Sequence, residues 1–231
     1  MYISRVALNL ARSGGLRLAG SPYLLHAAVE KAFPPNVMRR GDEGRILWRL
    51  DVSSRKDGGV WLYVVSPSVP DLSHIAEQAG WAQDRGETKE YTSVLDALEE
   101  GQAWQFRLKA NPARKVYRDW HGNDGESVVG SIQGHVTEAQ QLEWLLARSA
   151  RCGFDIPESG GLRSVAISHR KREYFRHGAD GNPVTLSTAQ FDGRLVVVDA
   201  DAFRRTLCCG LGRAKGFGCG LMTIAPIKNI D

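Results

Sequence analysis

The sequence lacks the cysteine and histidine spacings that mark a metal or redox site. Its four cysteines include no C-x-x-C pair, and the adjacent Cys208 and Cys209 are poor candidates for a disulfide framework or a zinc site. The six histidines are scattered, and none stands at helical ligand spacing to a carboxylate. The sequence therefore predicts no metal site and no cofactor.

Long apolar runs and a strong excess of one charge are also absent. Residues 1–15 alternate apolar and polar side chains, with no run long enough for a signal peptide or a membrane span. We therefore expect a cytoplasmic protein that binds no membrane. Lys and Arg total 30 against 26 Asp and Glu, so overall charge favours acidic partners only weakly, and local clusters matter more.

The first half of the chain has the pattern of one mixed α+β unit. Its 231 residues, 42% apolar and 24% charged, suit one large soluble domain or two of ordinary size. Alternation and helical spacing predict the order β-α-β-β-α-β, which is the ferredoxin-like arrangement. The predicted segments are a strand at 2–10, a helix at 21–33, strands at 46–52 and 60–65, a helix ending at Gly80, and a strand at 103–110.

The second half repeats this kind of pattern without visible sequence repetition. A helix follows Thr137, which forms a capping box with Gln140; a second helix runs from Asp199 to Cys209. Strands are predicted at 163–168, 172–176, 184–190, 194–198 and 218–225. We predict an α+β protein of two tandem ferredoxin-like (RRM-like) βαββαβ domains. Their predicted limits are 1–111 and 137–231, with a linker or diverged first strand at 112–136.

The helix at 21–33 carries a tyrosine and a histidine on an unexpected face. Ser21 is a good N-cap, and at about 100° per residue Leu25 and Val29 belong to the stripe that packs on a core. Tyr23 and His26 lie together on roughly the opposite side. A semi-exposed pair that covers neighbouring apolar surface is the structural alternative to a functional pair.

The segment 162–178 combines positive charge with aromatic side chains. Cations can neutralise RNA phosphates while aromatic rings stack on unpaired bases, and the only opposing charge is Glu173. An edge strand protected from aggregation by its charge is the alternative. The candidate RNA-binding residues are Arg163, Arg170, Lys171, Arg172 and Arg176.

The segment 210–221, GLGRAKGFGCGL, is unusually rich in glycine. Glycine lets the backbone approach a ligand closely and offer N–H groups to a phosphate, and Arg213 and Lys215 stand beside it. The spacing matches neither a P-loop nor G-x-G-x-x-G. A helix C-cap followed by a bulged strand is the alternative interpretation. The glycines of this predicted loop are Gly210, Gly212, Gly216, Gly218 and Gly220.

Four stretches of the chain, taken in order, resemble the CasE family of CRISPR RNA-processing endoribonucleases. They are SPYLLHAAVEKAF, LEEGQAWQFRLKANP, FDGRLVVVDADAFRRTLCCG and GLGRAKGFGCGL. The resemblance implies two ferredoxin-like domains and metal-independent cleavage of the repeat stem-loop of precursor CRISPR RNA. It also implies that the protein stays on the product hairpin as a subunit of type I-E Cascade. The region 111–137 fits the family least well.

The resemblance also implies roles for individual residues. The family's active-site tyrosine and histidine match Tyr23 and His26. The RNA 2′-hydroxyl would attack the adjacent phosphorus, leaving a 2′,3′-cyclic phosphate and a 5′-hydroxyl. His26 would act as general acid or base, Tyr23 would position the phosphate or assist deprotonation, and Arg213 and Lys215 would stabilise its charge. By family analogy, the basic segment 163–176 would grip the RNA stem.

Two other classes of function fit the same fold. A non-catalytic module that binds structured RNA would keep the basic surface and leave Tyr23 and His26 with structural roles. A small-molecule enzyme or an oligomerisation domain is the second alternative, because ferredoxin-like folds host many functions.

Overall fold

The computed structural model describes residues 1–37, 39–41, 44–52, 59–118, 129–176 and 181–227. Within these ranges the chain forms two main β-sheets, of four and five strands, three two-stranded sheets, and helices. None of the helices seen there combines the length and the apolar character that crossing a membrane requires.

The first unit contains the elements up to residue 90. In chain order they are β1 (Tyr2–Leu8), α1 (Ser13–Ala19), α2 (Pro22–Lys31), β2 (Arg40–Gly41), β3 (Gly44–Arg45), β4 (Leu47–Val52), β5 (Val60–Ser66), α3 (Ser73–Ala79) and β6 (Glu87–Glu90). The main sheet has the antiparallel order β4-β5-β1-β6. Leu25 and Val29 of α2 and Ile75 of α3 pack with Val6 and Leu62 in one core.

The second unit follows a short helix, α4 (Thr92–Asp96). Its elements are β7 (Ala103–Ala110), β8 (Ala113–Arg118), β9 (Val129–Gly134), α5 (Glu138–Ser149), β10 (Phe154–Asp155), β11 (Glu158–Ser159), β12 (Leu162–Arg163), β13 (Val165–Arg176), β14 (Pro183–Val197), α6 (Ala200–Cys209) and β15 (Met222–Pro226). The sheet order is β10-β14-β7-β15, and β13 pairs with β14. Trp144 of α5 and Phe203 of α6 pack with Phe191 in the second core.

The predicted class, α+β with two tandem ferredoxin-like units, is confirmed. Each main sheet takes its strands from a βαββαβ succession. The capping predictions are confirmed as well. Leu24 N–H donates to Ser21 Oγ at the start of α2, and Thr137 and Gln140 form the capping box of α5.

The assignment of 103–110 to the first sheet was wrong. β7 pairs with β14 and β15 in the second sheet, where Phe106 and Leu108 are buried. The fourth strand of the first sheet is β6, Glu87–Glu90, which pairs with β1. All its residues are exposed, so it carries no apolar alternation by which the sequence could show it. The limits proposed for autonomous domains remain a prediction.

The region predicted as a linker or a diverged first strand contains a hairpin. β8 and β9 pair antiparallel as a separate two-stranded sheet, and β7 is the first strand of the second sheet instead. Residues 119–128 of that region lie outside the described ranges. The strands predicted separately at 163–168 and 172–176 form one strand, β13, whose register shifts between Ser168 and Lys171. Likewise, 184–190 and 194–198 form one strand, β14.

Arg49 of β4 ties the two units together. Its side chain is only 2% exposed, and Nε and Nη2 donate to the two carboxylate oxygens of Asp51 at 2.6 and 2.9 Å. Nη1 donates to the carbonyls of Arg107 and Leu221 at 2.9 and 3.0 Å. Nη2 also donates to Thr223 Oγ1 at 2.8 Å. One guanidinium of the first unit therefore satisfies acceptors on β7 and on Leu221 and Thr223, at the start of β15, in the second unit.

Arg107 extends this network into the second sheet. Its Nε donates to Asp192, and its Nη1 lies 3.5 Å from Asp51. Burial lowers the pKa of Arg107, but its hydrogen bond to Asp192 and the charges of Asp192 and Asp51 outweigh that effect and raise the pKa above its ordinary value. Asp51 thus stands between two arginines, one from each unit.

We predict that Arg49→Ala lowers the free energy of unfolding by about 3–5 kcal/mol, because it leaves a buried carboxylate without its main partner. Urea denaturation followed by fluorescence measures the change. Arg5→Ala is the control: Arg5 pairs with Glu87 where the two side chains are 43% and 54% exposed, so its loss should cost less than about 1 kcal/mol. Equal losses in the two variants would contradict the assigned role of Arg49.

Candidate functional site

Helix α2 presents Tyr23 and His26 at the junction of the two units. Pro22 occupies the first helical position after the Ser21 cap, and Tyr23 and His26 are both half-buried. The His26 ring lies edge-on to Phe217 of the second unit, with centroids 6.4 Å apart. The imidazole therefore covers an aromatic ring, which is compatible with a purely structural role for this residue. It also borders the glycine-rich segment.

The glycine-rich segment makes a short 3₁₀ turn, Lys215–Phe217, against α2. A Cβ added at Gly216 would lie 3.7 Å from Cε1 and Nε2 of His26, so the turn backbone passes close to the imidazole. Gly218 has a left-handed φ of +75°, and a Cβ there would come within 2.5 Å of the Trp48 ring. Glycine at 218 is thus required both by backbone conformation and by space.

The remaining glycines lie where the segment follows α6 and where it approaches β15. Gly210 ends α6, and its neighbour Leu211 donates its N–H to the Gly220 carbonyl at 2.9 Å. Gly212 and Gly220 also have left-handed φ values. Cys219 is fully buried, and burial raises the pKa of its thiol to about 12, so this cysteine is a neutral packing group.

Arg213 and Lys215 line a cleft next to the turn. The cleft measures about 640 Å³ and is also lined by Arg45 of β3, so cations from both units face it. Phe217 lines a different cleft. The turn therefore stands between two openings, one with the predicted phosphate-binding cations and one with aromatic walls.

The basic strand, β13, separates its side chains onto two faces. Arg172, Tyr174 and Arg176 are opposite Ser187, Thr185 and Pro183 of β14, and alternate residues of a strand share a face. Arg172, Tyr174 and Arg176 are all exposed. Lys171, also exposed, alternates with them and shares the other face with half-buried Glu173 and Phe175.

Two of the predicted RNA-binding arginines do not share the Arg172 face. Arg163, on β12, pairs with Glu158 at 2.9 Å and donates to the Ile156 carbonyl. Arg170 lies in the bulge of β13 and donates to the Val136 carbonyl at 2.6 Å. His177 and Gly178, at the end of the predicted basic segment, lie outside the described residues.

Sequence reasoning missed the side chains that hold His26 in place. Phe217 contacts His26, Phe175 meets Phe217 edge-on at 4.9 Å, and Trp48 packs over Gly218. Phe217 is the only aromatic residue between two glycines of this segment, and this isolated position could have marked it in the sequence as a candidate for the site. No sequence signal predicts that Phe175 of β13 reaches this turn.

Among the residues placed by the structure, no group of three or more histidine, cysteine or acidic side chains is arranged to hold a metal ion. The arrangement consists instead of an imidazole and a phenol on one helix, a glycine-rich turn, cations from both units and a basic strand. Imidazole can transfer protons near neutral pH, and cations near backbone N–H groups can stabilise a phosphate.

The fold and this junction define a tandem ferredoxin-like protein with a histidine presented at a glycine-rich turn. A family model described as CRISPR associated protein matches residues 1–226, and the chain belongs to that family. It is 31% identical to the CRISPR-associated endoribonuclease Cse3 of Thermus thermophilus over 98% of this chain and 100% of the relative.

Two further comparisons agree with this assignment. The chain is 26% identical to the CRISPR system Cascade subunit CasE of Escherichia coli over 98% of this chain and 100% of the relative. Its fold matches a structure of the CRISPR endoribonuclease Cse3 bound to a 19-nucleotide RNA, with a TM-score of 0.77 and 29% identity. That match covers 98% of this chain and 100% of the other.

We predict that replacing both Arg172 and Arg176 by Ala weakens binding of a repeat stem-loop RNA. If each arginine contacts a phosphate, the slope of log affinity against log salt should flatten by up to about 1.4–1.8. Titrations at several salt concentrations measure it. The control is Arg85→Ala with Lys89→Ala, two exposed residues of the first unit that remove the same charge. An unchanged slope in the Arg172 and Arg176 variant would show that these charges only protect an edge strand.

Proposed function

We propose that this protein is a metal-independent endoribonuclease that cuts the repeat stem-loop of precursor CRISPR RNA. The observation that carries the proposal is the position of His26, at the junction of two ferredoxin-like units and against the glycine-rich turn. Membership of the CRISPR-associated family and the likeness to an RNA-bound endoribonuclease support it.

The substrate supplies the nucleophile. The 2′-hydroxyl attacks the adjacent phosphorus, and the bond from phosphorus to the 5′-oxygen of the next nucleotide breaks. The products are a 2′,3′-cyclic phosphate and a 5′-hydroxyl. The enzyme has to hold the attack in line and transfer two protons, one from the 2′-hydroxyl and one to the leaving oxygen.

His26 donates the proton to the leaving 5′-oxygen, or alternatively accepts the proton of the 2′-hydroxyl, because imidazole can perform either task near neutral pH. Tyr23, one turn away on α2, positions the phosphate through its hydroxyl or assists deprotonation of the 2′-hydroxyl. Arg213 and Lys215 stabilise the negative charge of the phosphate from the neighbouring cleft.

The exposed face of the basic strand holds the paired backbone of the stem through Arg172 and Arg176, and Lys171 adds positive charge on its other face. The product hairpin stays bound, and the protein serves as a Cascade subunit, as the name of the relative from Escherichia coli indicates for that protein. The precursor RNA is made inside the cell, so we place this activity in the cytoplasm.

Cleavage should persist in excess EDTA, because the attacking oxygen belongs to the RNA and requires no metal-bound water. Replacing the single 2′-hydroxyl upstream of the cut by hydrogen should abolish cleavage and leave binding nearly unchanged. Denaturing gels and filter binding measure the two quantities. Loss of cleavage in EDTA with recovery on adding magnesium or manganese would contradict the mechanism.

His26→Ala should slow single-turnover cleavage by about 10²–10⁴-fold, the usual cost of removing a general acid or base, with RNA affinity nearly unchanged. Tyr23→Phe should cost less if its hydroxyl only positions the phosphate. The matched control is His74→Gln. His74 is half-buried in the same unit and bonds to the Ala28 carbonyl of α2 at 3.0 Å, so it tests general loss of packing on this helix. Full activity in His26→Ala would exclude the assigned role.

A further inference from the structure

A second opening, distinct from the cationic cleft, is lined by Phe217 of the glycine-rich turn. It measures about 350 Å³ and lies between the units, with Leu25 and Trp48 on one wall and Glu173, Phe175 and Phe217 on the other. Phe217 is also the ring that contacts His26. A group bound in this aromatic cleft would therefore lie next to the reacting phosphate.

Glu173 is the unusual polar group of the aromatic cleft. It is the acidic residue within the basic strand, and its Oε1 accepts hydrogen bonds from Lys109 Nζ at 3.0 Å and Thr188 Oγ1 at 3.2 Å. Its Oε2 is buried and has no hydrogen-bond partner within the part of the chain that the structure describes. A buried acceptor without a donor is costly, so the cleft suits a ligand that brings an N–H group.

The walls of the cleft suit a flat ring. Phe175, which shares the strand face of Glu173, lines the cleft together with Phe217 and Trp48. Phe175 and Phe217 meet edge-on nearby. RNA-binding proteins commonly stack unpaired bases on such rings and bond to the edges of those bases.

We infer that the aromatic cleft receives an unpaired nucleobase from a nucleotide that flanks the scissile phosphate. Glu173 accepts an N–H of the base edge, the ammonium of Lys109 donates to a neighbouring ring nitrogen or carbonyl, and the Phe175 ring, on the same strand face as Glu173, stacks on the base. Glu173 is thereby a specificity-determining residue. This inference rests on the proposed function, because it assumes that RNA passes His26.

The test is a scan of abasic substitutions at each nucleotide within two positions of the cut, with single-turnover cleavage as the readout. In the wild type, one position should lose about 10-fold or more, in line with the usual value of a stacked base. Glu173→Gln presents an amide where the base needs an acceptor, and Phe175→Ala removes the stacking ring. Each should slow cleavage of intact RNA by about 5-fold or more.

The decisive quantity is the coupling between protein and base. At the sensitive position, the abasic RNA should be cut at nearly the same rate by the wild type and by both variants. Glu87→Gln, an ion-paired strand glutamate outside the cleft, should keep the full abasic penalty.

Equal slowing of intact and abasic RNA by Glu173→Gln and Phe175→Ala would overturn the inference and leave those residues as structural groups. A wild-type scan without a sensitive position would overturn it as well. Neither result affects the proposed function, which instead fails if the wild type does not cut the intact repeat RNA.

Discussion

The architecture depends on one buried guanidinium. Arg49 leaves water to make five hydrogen bonds, two to a carboxylate of its own strand and three to acceptors on the second unit, at Arg107, Leu221 and Thr223. A buried charge is tolerated only when its donors are satisfied. Since those acceptors belong to the second unit, the two ferredoxin-like units can take up only the relative placement that brings them to Arg49.

The geometry of the candidate site depends on this relative placement of the two units. Trp48 precedes Arg49 on β4, and its ring packs over Gly218, so the strand that carries the interface arginine also supports the glycine-rich turn. The glycine-rich turn then places Phe217 beside His26. The histidine comes from the first unit, and the surface it faces comes from the second. Neither unit contains the site alone.

The same placement gives the two clefts at the turn different chemistry. Arg45, Arg213 and Lys215 make one cleft cationic, which suits a phosphate. The other cleft has aromatic walls with Glu173, Lys109 and Lys171 as its charged groups, which suits the polar edge of a base. A nucleotide consists of a phosphate joined through a sugar to a base. The junction is therefore matched to a strand of RNA that crosses the turn at the imidazole.

Sequence patterns predicted the elements whose signals are local. The α2 stripe and the Ser21 and Thr137 caps follow from spacing and side-chain chemistry, and the resemblance pointed to Tyr23 and His26. The patterns failed where pairing is set by the whole fold. β6 is entirely exposed and polar, so nothing marked it as a strand, and Ala103–Ala110 was assigned to the wrong sheet because it follows the first unit in the chain. The contacts of Phe175 and Trp48 with the turn depend on the two units meeting, which no local pattern encodes.

The most direct measurement is a structure of the protein bound to a repeat RNA whose single attacking 2′-hydroxyl is replaced by hydrogen, so that the uncut RNA remains in place. We expect a ring nitrogen of His26 to lie within hydrogen-bond reach, roughly 2.6–3.2 Å or one water away, of the leaving 5′-oxygen or of the site of the missing hydroxyl. A scissile phosphate bound away from α2 and the glycine-rich turn would contradict it.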